Sequence, residues 1–155
     1  MQITKNFSWE EFASGDGAPF SAEAKKNIPE LAKNLEVLRA EIQRPIRINS
    51  GYRSPAYNQK VGGVHDSQHV LGKAADIVVN GLTPKELAQK IETLIRSGRM
   101  KQGGLGIYDT FVHYDIRGVR ARWDFSSSVM QKTKKKAFLL VFVLLLGTLG
   151  WVFRK

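Results

Sequence analysis

Apolar side chains recur at helical spacing over residues 21–43, where Ile28, Leu31, Leu35, Leu38 and Ile42 share one face. The spacing predicts one long helix, or two broken near Pro29, ended by Pro45. The run IRIN at 46–49 then reads as a short strand leading into Gly51. Ser54 before Pro55, with Gly62 and Gly63 beyond, predicts a capped short helix over 56–60. Ile77 to Val79 reads as a central strand. Thr83, Pro84 and Glu86 open a second capped helix that Leu87, Ile91, Leu94 and Ile95 continue and Gly98 ends. Residues 103–108, 110–116 and 121–125 predict three further strands. Ahead of all this, Phe7, Trp9, Phe12 and Phe20 suit an irregular arm or short helix packing its rings on the domain. Helices around a strand-rich C-terminal half imply an α+β fold with a small, mainly antiparallel sheet packed with helices.

The pattern changes near the C-terminus. Residues 126–136 are polar and basic without periodicity and read as a linker. Residues 137–153, AFLLVFVLLLGTLGWVF, carry no charge and as a helix would reach about 25 Å, near the lower limit for a bilayer. Lysines before the run, Arg154 and Lys155 after it, and Trp151 near its end resemble interfacial anchors. The expectation is a domain over 1–125, a linker over 126–136 and a single C-terminal transmembrane helix over 137–153. The protein would then sit in a host inner membrane or a phage internal membrane, with the lipid bilayer as a partner. The excess of lysines before the span favours a cytoplasmic domain.

Charge and composition narrow the chemistry. The formal net charge is +10, but residues 1–131 carry 18 basic and 14 acidic side chains, or +4. The remaining positives are Lys132, Lys134, Lys135, Lys136, Arg154 and Lys155, so the basicity belongs to the tail and no nucleic-acid partner is expected. There is no cysteine, which excludes disulfides and leaves nitrogen and oxygen as the available metal donors.

Those donors cluster in two places. The stretch 50–76, SGYRSPAYNQKVGGVHDSQHVLGKAAD, holds His65, His69 and Asp76, and the third histidine, His113, lies in FVHYDIR. Two imidazoles and a carboxylate are a common set for a catalytic zinc, which keeps one position open for water. The series SGYRS, SQHVLGKAADI and FVHYDIR resembles the D-Ala-D-Ala carboxypeptidase family of zinc peptidases over about residues 6–118. That family includes vancomycin-resistance dipeptidases and carboxypeptidases, bacteriophage endolysins and relatives of the hedgehog signalling domain. The resemblance implies that His69, Asp76 and His113 hold one zinc ion. It also implies that Arg53 lies near the substrate, holding its carboxylate or orienting the scissile carbonyl, beside Tyr52. Ser67 matches the serine ahead of the first ligand, while His65 matches no motif position and reads as a loop histidine.

The general base is less clearly marked. Asp115 falls on the same strand face as His113, because side chains alternate with period two, and either accepts a proton or orients His113 or Arg53. Asp109, four residues before His113, is the second candidate. The expected function is a membrane-anchored zinc metallopeptidase that cuts D-Ala-containing bonds of peptidoglycan, as a carboxypeptidase or a cross-link endopeptidase, in phage lysis or in a virion. Two rivals are a non-catalytic, zinc-stabilised module that binds peptidoglycan or a protein, and a cytoplasmic D-Ala-D-Ala dipeptidase.

Overall fold

The computed structural model describes residues 1–127. A 3-10 turn at Trp9–Phe12 precedes three helices, α1 (Ala22–Ile42), α2 (Pro55–Lys60) and α3 (Pro84–Arg96). Five strands complete the fold: β1 (Ile46–Ser50), β2 (Ala74–Val79), β3 (Gly104–Ile107), β4 (Val112–Asp115) and β5 (Ala121–Asp124). They form one sheet in the order β1-β2-β4-β3-β5. Every pair is antiparallel except β3 with β5. The domain is therefore α+β with a mainly antiparallel sheet, and the strands over 110–116 and 103–108 are shorter than the alternation implied.

Local chemistry explains the elements. Ser21 Oγ accepts from the Ala24 amide at the start of α1, and Gln43 ends that helix in the left-handed region at φ 52°. Pro29 lies inside α1 without breaking it. Ile28, Leu31, Ala32, Leu35 and Leu38 are fully buried on both sides of the proline, so tertiary packing outweighs its missing N–H. Thr83 and Glu86 form a reciprocal capping box on α3. Strand alternation then divides the sheet. Ala75, Ile77 and Val79 of β2 join Val112 and Tyr114 of β4 in the core with α1 and α3, while Asp76, His113 and Asp115 occupy the alternate positions.

The expectations of a transmembrane helix over 137–153 and of a single-pass membrane location are corrected. Among the described residues no helix is long and apolar enough to cross a membrane. The longest, α1, is amphipathic, with Glu23, Lys25, Lys26 and Glu30 in its first half. The segment 137–153 itself lies outside the described residues, and the lipid bilayer loses its support as a partner.

Candidate metal centre and active-site cleft

The neighbouring pair β2 and β4 places Asp76 opposite His113. His69 arrives from the turn that precedes β2, held by its backbone: the Arg53 amide donates to His69 O at 3.2 Å, and Gly72 N to the same oxygen at 3.1 Å. Gly51 sits where it does because any side chain there would press on the Phe12 backbone, 2.7 Å from the would-be Cβ. That close approach aims the Gly51 carbonyl at His69.

Hydrogen bonds fix which ring nitrogens face inward. His69 Nδ1 lies 2.6 Å from Gly51 O, which can only accept, so Nδ1 carries the proton and Nε2 is left for the centre. His113 Nε2 lies 3.0 Å from Asp115 Oδ2, which leaves Nδ1. The three inward atoms converge: His69 Nε2 to Asp76 Oδ1 is 3.2 Å, His113 Nδ1 to Asp76 Oδ1 is 3.0 Å, and the two imidazole nitrogens are 3.2 Å apart. These edges fall just inside the roughly 3.4 Å expected of a tetrahedral zinc site with bonds near 2.1 Å. His69, Asp76 and His113 are thus a group that could hold a metal ion, and a set of two nitrogens and one carboxylate oxygen suits zinc.

The titrations follow from the same contacts. Burial pushes the Asp76 carboxyl up, but hydrogen bonds from His113 and His69 outweigh it and hold the group well below the usual carboxylate range. Burial pushes His69 down and dominates, so this imidazole is neutral and ready to donate a lone pair. For His113 burial also acts downward, yet Asp115 and Asp76 face its two nitrogens and raise it.

Asp115 is fully buried, and both of its oxygens are engaged. Oδ1 accepts from the amides of Gly104 (2.9 Å) and Arg117 (3.1 Å), and Oδ2 from Arg117 Nη2 (2.7 Å) as well as facing His113. Burial raises its pKa, but the His113 and Arg117 hydrogen bonds lower it more, so it stays ionised. Gly103 and Gly104 make room for it: a Cβ at either would overlap Asp115.

The group lies in a cleft of roughly 830 Å³. Arg53 lines it, donating from Nε to Ser50 Oγ at 2.8 Å and from Nη2 to Asp76 Oδ2. Ser67 also lines it, and its Oγ accepts from the His69 amide at 3.3 Å. Tyr52 instead packs in the core, its ring 5.5 Å from that of Phe20. Asp109 is exposed and bound by Ser127, whose amide and hydroxyl donate to Oδ1 at 2.8 and 2.7 Å. It is not among the residues that line the cleft, and His65 is likewise exposed outside it.

Sequence reasoning missed one wall. Trp123 packs 5.2 Å from His113, centroid to centroid, and donates from Nε1 to Tyr108 Oη at 3.1 Å. Tyr108 stacks on Phe111 at 4.4 Å, and the Arg117 guanidinium lies 5.9 Å from the Trp123 ring centre. The spacing of Arg117 two residues after Asp115, on the same face, was the available signal.

Among solved structures, the crystal structure of Serratia marcescens L-Ala D-Glu endopeptidase ChiX is similar at 18% identity, covering 63% of this chain and 88% of that one, with a TM-score of 0.40. None of the curated proteins matches. A family model described as Peptidase M15 matches residues 5–115, a span that contains His69, Asp76 and His113 and the cleft arginine Arg53. The chain therefore belongs to the peptidase M15 family of zinc peptidases.

Proposed function

We propose that the protein is a zinc-dependent peptidase that cleaves D-Ala-containing bonds of peptidoglycan peptides, as a carboxypeptidase or a cross-link endopeptidase, with residues 1–125 as the catalytic domain. The observation that carries this reading is the convergence of His69 Nε2, Asp76 Oδ1 and His113 Nδ1 in the cleft that Arg53 lines. These three residues would hold one zinc ion, which when bound lowers the pKa of water from above 15 to about 7 and polarises a carbonyl.

The chain's own residues do the rest. Arg53, braced by Ser50 and Asp76, presents its remaining edge to a substrate carboxylate or to the scissile carbonyl. Ser67 fixes the turn that carries His69. Asp115 acts as a positioning residue: its oxygens already accept from two amides and Arg117, and it keeps the His113 proton on Nε2. Asp109, bound by Ser127 on the surface, and Tyr52, packed in the core, receive no part in this mechanism.

The saturated Asp115 and an Asp109 that is bound by Ser127 and does not line the cleft favour one second reading, a non-catalytic module in which zinc stabilises a peptidoglycan- or protein-binding surface. The discriminating assay gives the zinc-loaded full chain purified muropeptides and follows D-Ala release and cross-link opening, with and without a chelator and beside His113→Ala. Cleavage abolished by chelation and by the substitution supports the peptidase. One zinc per chain with no cleavage supports the module.

A further inference from the structure

Five residues run in register across the sheet at the level of the ligand group: Ser50 on β1, Asp76 on β2, His113 on β4, Gly106 on β3 and Trp123 on β5. The two ligands stand in the middle of this row, and an arginine stands at each end. Arg53, just after β1, braces itself on Ser50 and Asp76. Arg117, just after β4, lies against the Trp123 indole. Both arginines and the indole line the same cleft.

The two guanidiniums are held alike. Each spends Nε and Nη2 on protein acceptors, Ser50 and Asp76 for Arg53 and Asp115 for Arg117. Among the described residues neither Nη1 has a protein acceptor. Arg117 is fixed further by the indole, since a cation over an aromatic ring is attracted to it. A guanidinium immobilised in this way loses little freedom on binding a carboxylate with its remaining edge.

Charge points the same way. Asp76 and Asp115 cancel Arg53 and Arg117, so a divalent cation on the ligand group would leave the centre positive. Asp66, also on the cleft wall and near enough to Arg117 to interact with it electrostatically, offsets one unit of that charge. The cleft would draw an anionic peptide, with one fixed cation on either side of the ligand group.

We propose that Arg117 and Trp123 form a second substrate subsite, across the ligand group from Arg53, that takes a carboxylate-bearing residue on the amino side of the scissile bond. The proposal rests on the peptidase reading above, in which Arg53 serves the carboxyl side. The indole covers the aliphatic part of that residue, and the free edge of Arg117 takes its carboxylate.

Two synthetic peptides ending in D-Ala, identical except for Glu or Gln before that D-Ala, test it on the zinc-loaded full chain. The Glu peptide is expected to show kcat/KM about tenfold higher, carried by KM, as befits one charge-assisted hydrogen bond. In Arg117→Gln, which retains a donor for Asp115, the ratio falls to about one. Loss of a purely structural clamp would slow both peptides equally and leave the ratio standing. Calorimetric binding of the same two peptides decides independently of turnover. Equal kcat/KM or equal Kd in the wild type, no binding of the Glu peptide, or a ratio that survives in Arg117→Gln overturns the proposal. Cleavage of neither peptide alongside a tenfold difference in Kd supports the subsite and counts against the peptidase reading alone.

Discussion

The indole of Trp123 occupies the space that a side chain on Gly106 would fill. The two residues are paired across β3 and β5, and a Cβ at 106 would overlap Nε1 and Cε2 of the ring and come within 2.7 Å of Cζ2. Glycine here lets the indole lie across the strand toward His113, which is paired with Gly106 from the other side. Gly106→Ala is therefore expected to displace the ring and destabilise the domain by about 1–3 kcal/mol, the usual penalty of overpacking. Trp123→Leu in the same background relieves the overlap, so the double variant should lose less stability than the two single losses together. Urea midpoints of the three variants measure this, and simple additivity would refute the steric account.

Asp115 offers a sharper test of how the ligand group is held. Its carboxylate meets His113 at Nε2, on the side of the ring away from Asp76. Asp115→Asn removes the charge while keeping the shape, and zinc affinity is expected to fall about 10–100-fold, the loss typical when a metal-bound histidine is deprived of its carboxylate partner. Competition with a chromophoric chelator reads this directly. Unchanged affinity would mean that the Gly104 and Arg117 contacts, rather than His113, account for the presence of the acid.

Much of this centre was legible because its chemistry is written in residue types. Histidine and aspartate at motif spacing drew attention to His69, Asp76 and His113, and period-two alternation placed Asp115 beside His113. Caps at Ser54 and Thr83 likewise marked helix starts that the structure shows. What escaped was space. Gly103, Gly104 and Gly106 carry no side chain that could announce a role, yet their use is to admit Asp115 and Trp123 from neighbouring strands. Such contacts depend on sheet order, and the β3–β5 parallel pairing is not encoded in local pattern. Tyr52 shows the converse: neighbouring the cleft-lining Arg53 in sequence, it points its ring into the core, because adjacent residues in extended chain face opposite ways.

Arg53→Lys separates charge from geometry. A lysine keeps the positive charge but cannot donate from Nε to Ser50 while also reaching Asp76 and a substrate. Turnover of muropeptides by Arg53→Lys is expected to drop at least tenfold, close to Arg53→Ala, with zinc stoichiometry retained. Wild-type kcat/KM in the lysine variant would show that only a point charge is needed there.

The N-terminal arm supplies a prediction about pH that does not involve the centre. Glu36 on α1 accepts from the Asn6 amide at 2.6 Å, from Asn6 Nδ2 at 2.8 Å and from Thr4 Oγ1 at 2.8 Å, tying the arm that carries Phe7 and Phe12 to the helix. Burial pushes its carboxyl up, but the hydrogen bonds from Asn6 and Thr4 outweigh it, so the pKa is lowered on folding. A lowered folded pKa means that the unfolded chain binds the proton more readily, so this contribution is complete above the unfolded value of about 4.3. It is lost as pH falls from there through the folded value. Thermal unfolding of the wild type between pH 7 and pH 3 should accordingly show a decline below about pH 4.5 that is shallower in Glu36→Gln. At pH 7 the same substitution should cost about 1–3 kcal/mol, because the amide that replaces the carboxylate offers a single acceptor oxygen to the donors of Asn6 and Thr4. A decline of equal steepness in both proteins would assign the acid sensitivity to other carboxylates, such as Asp76 and Asp115, and release the arm from any part in it.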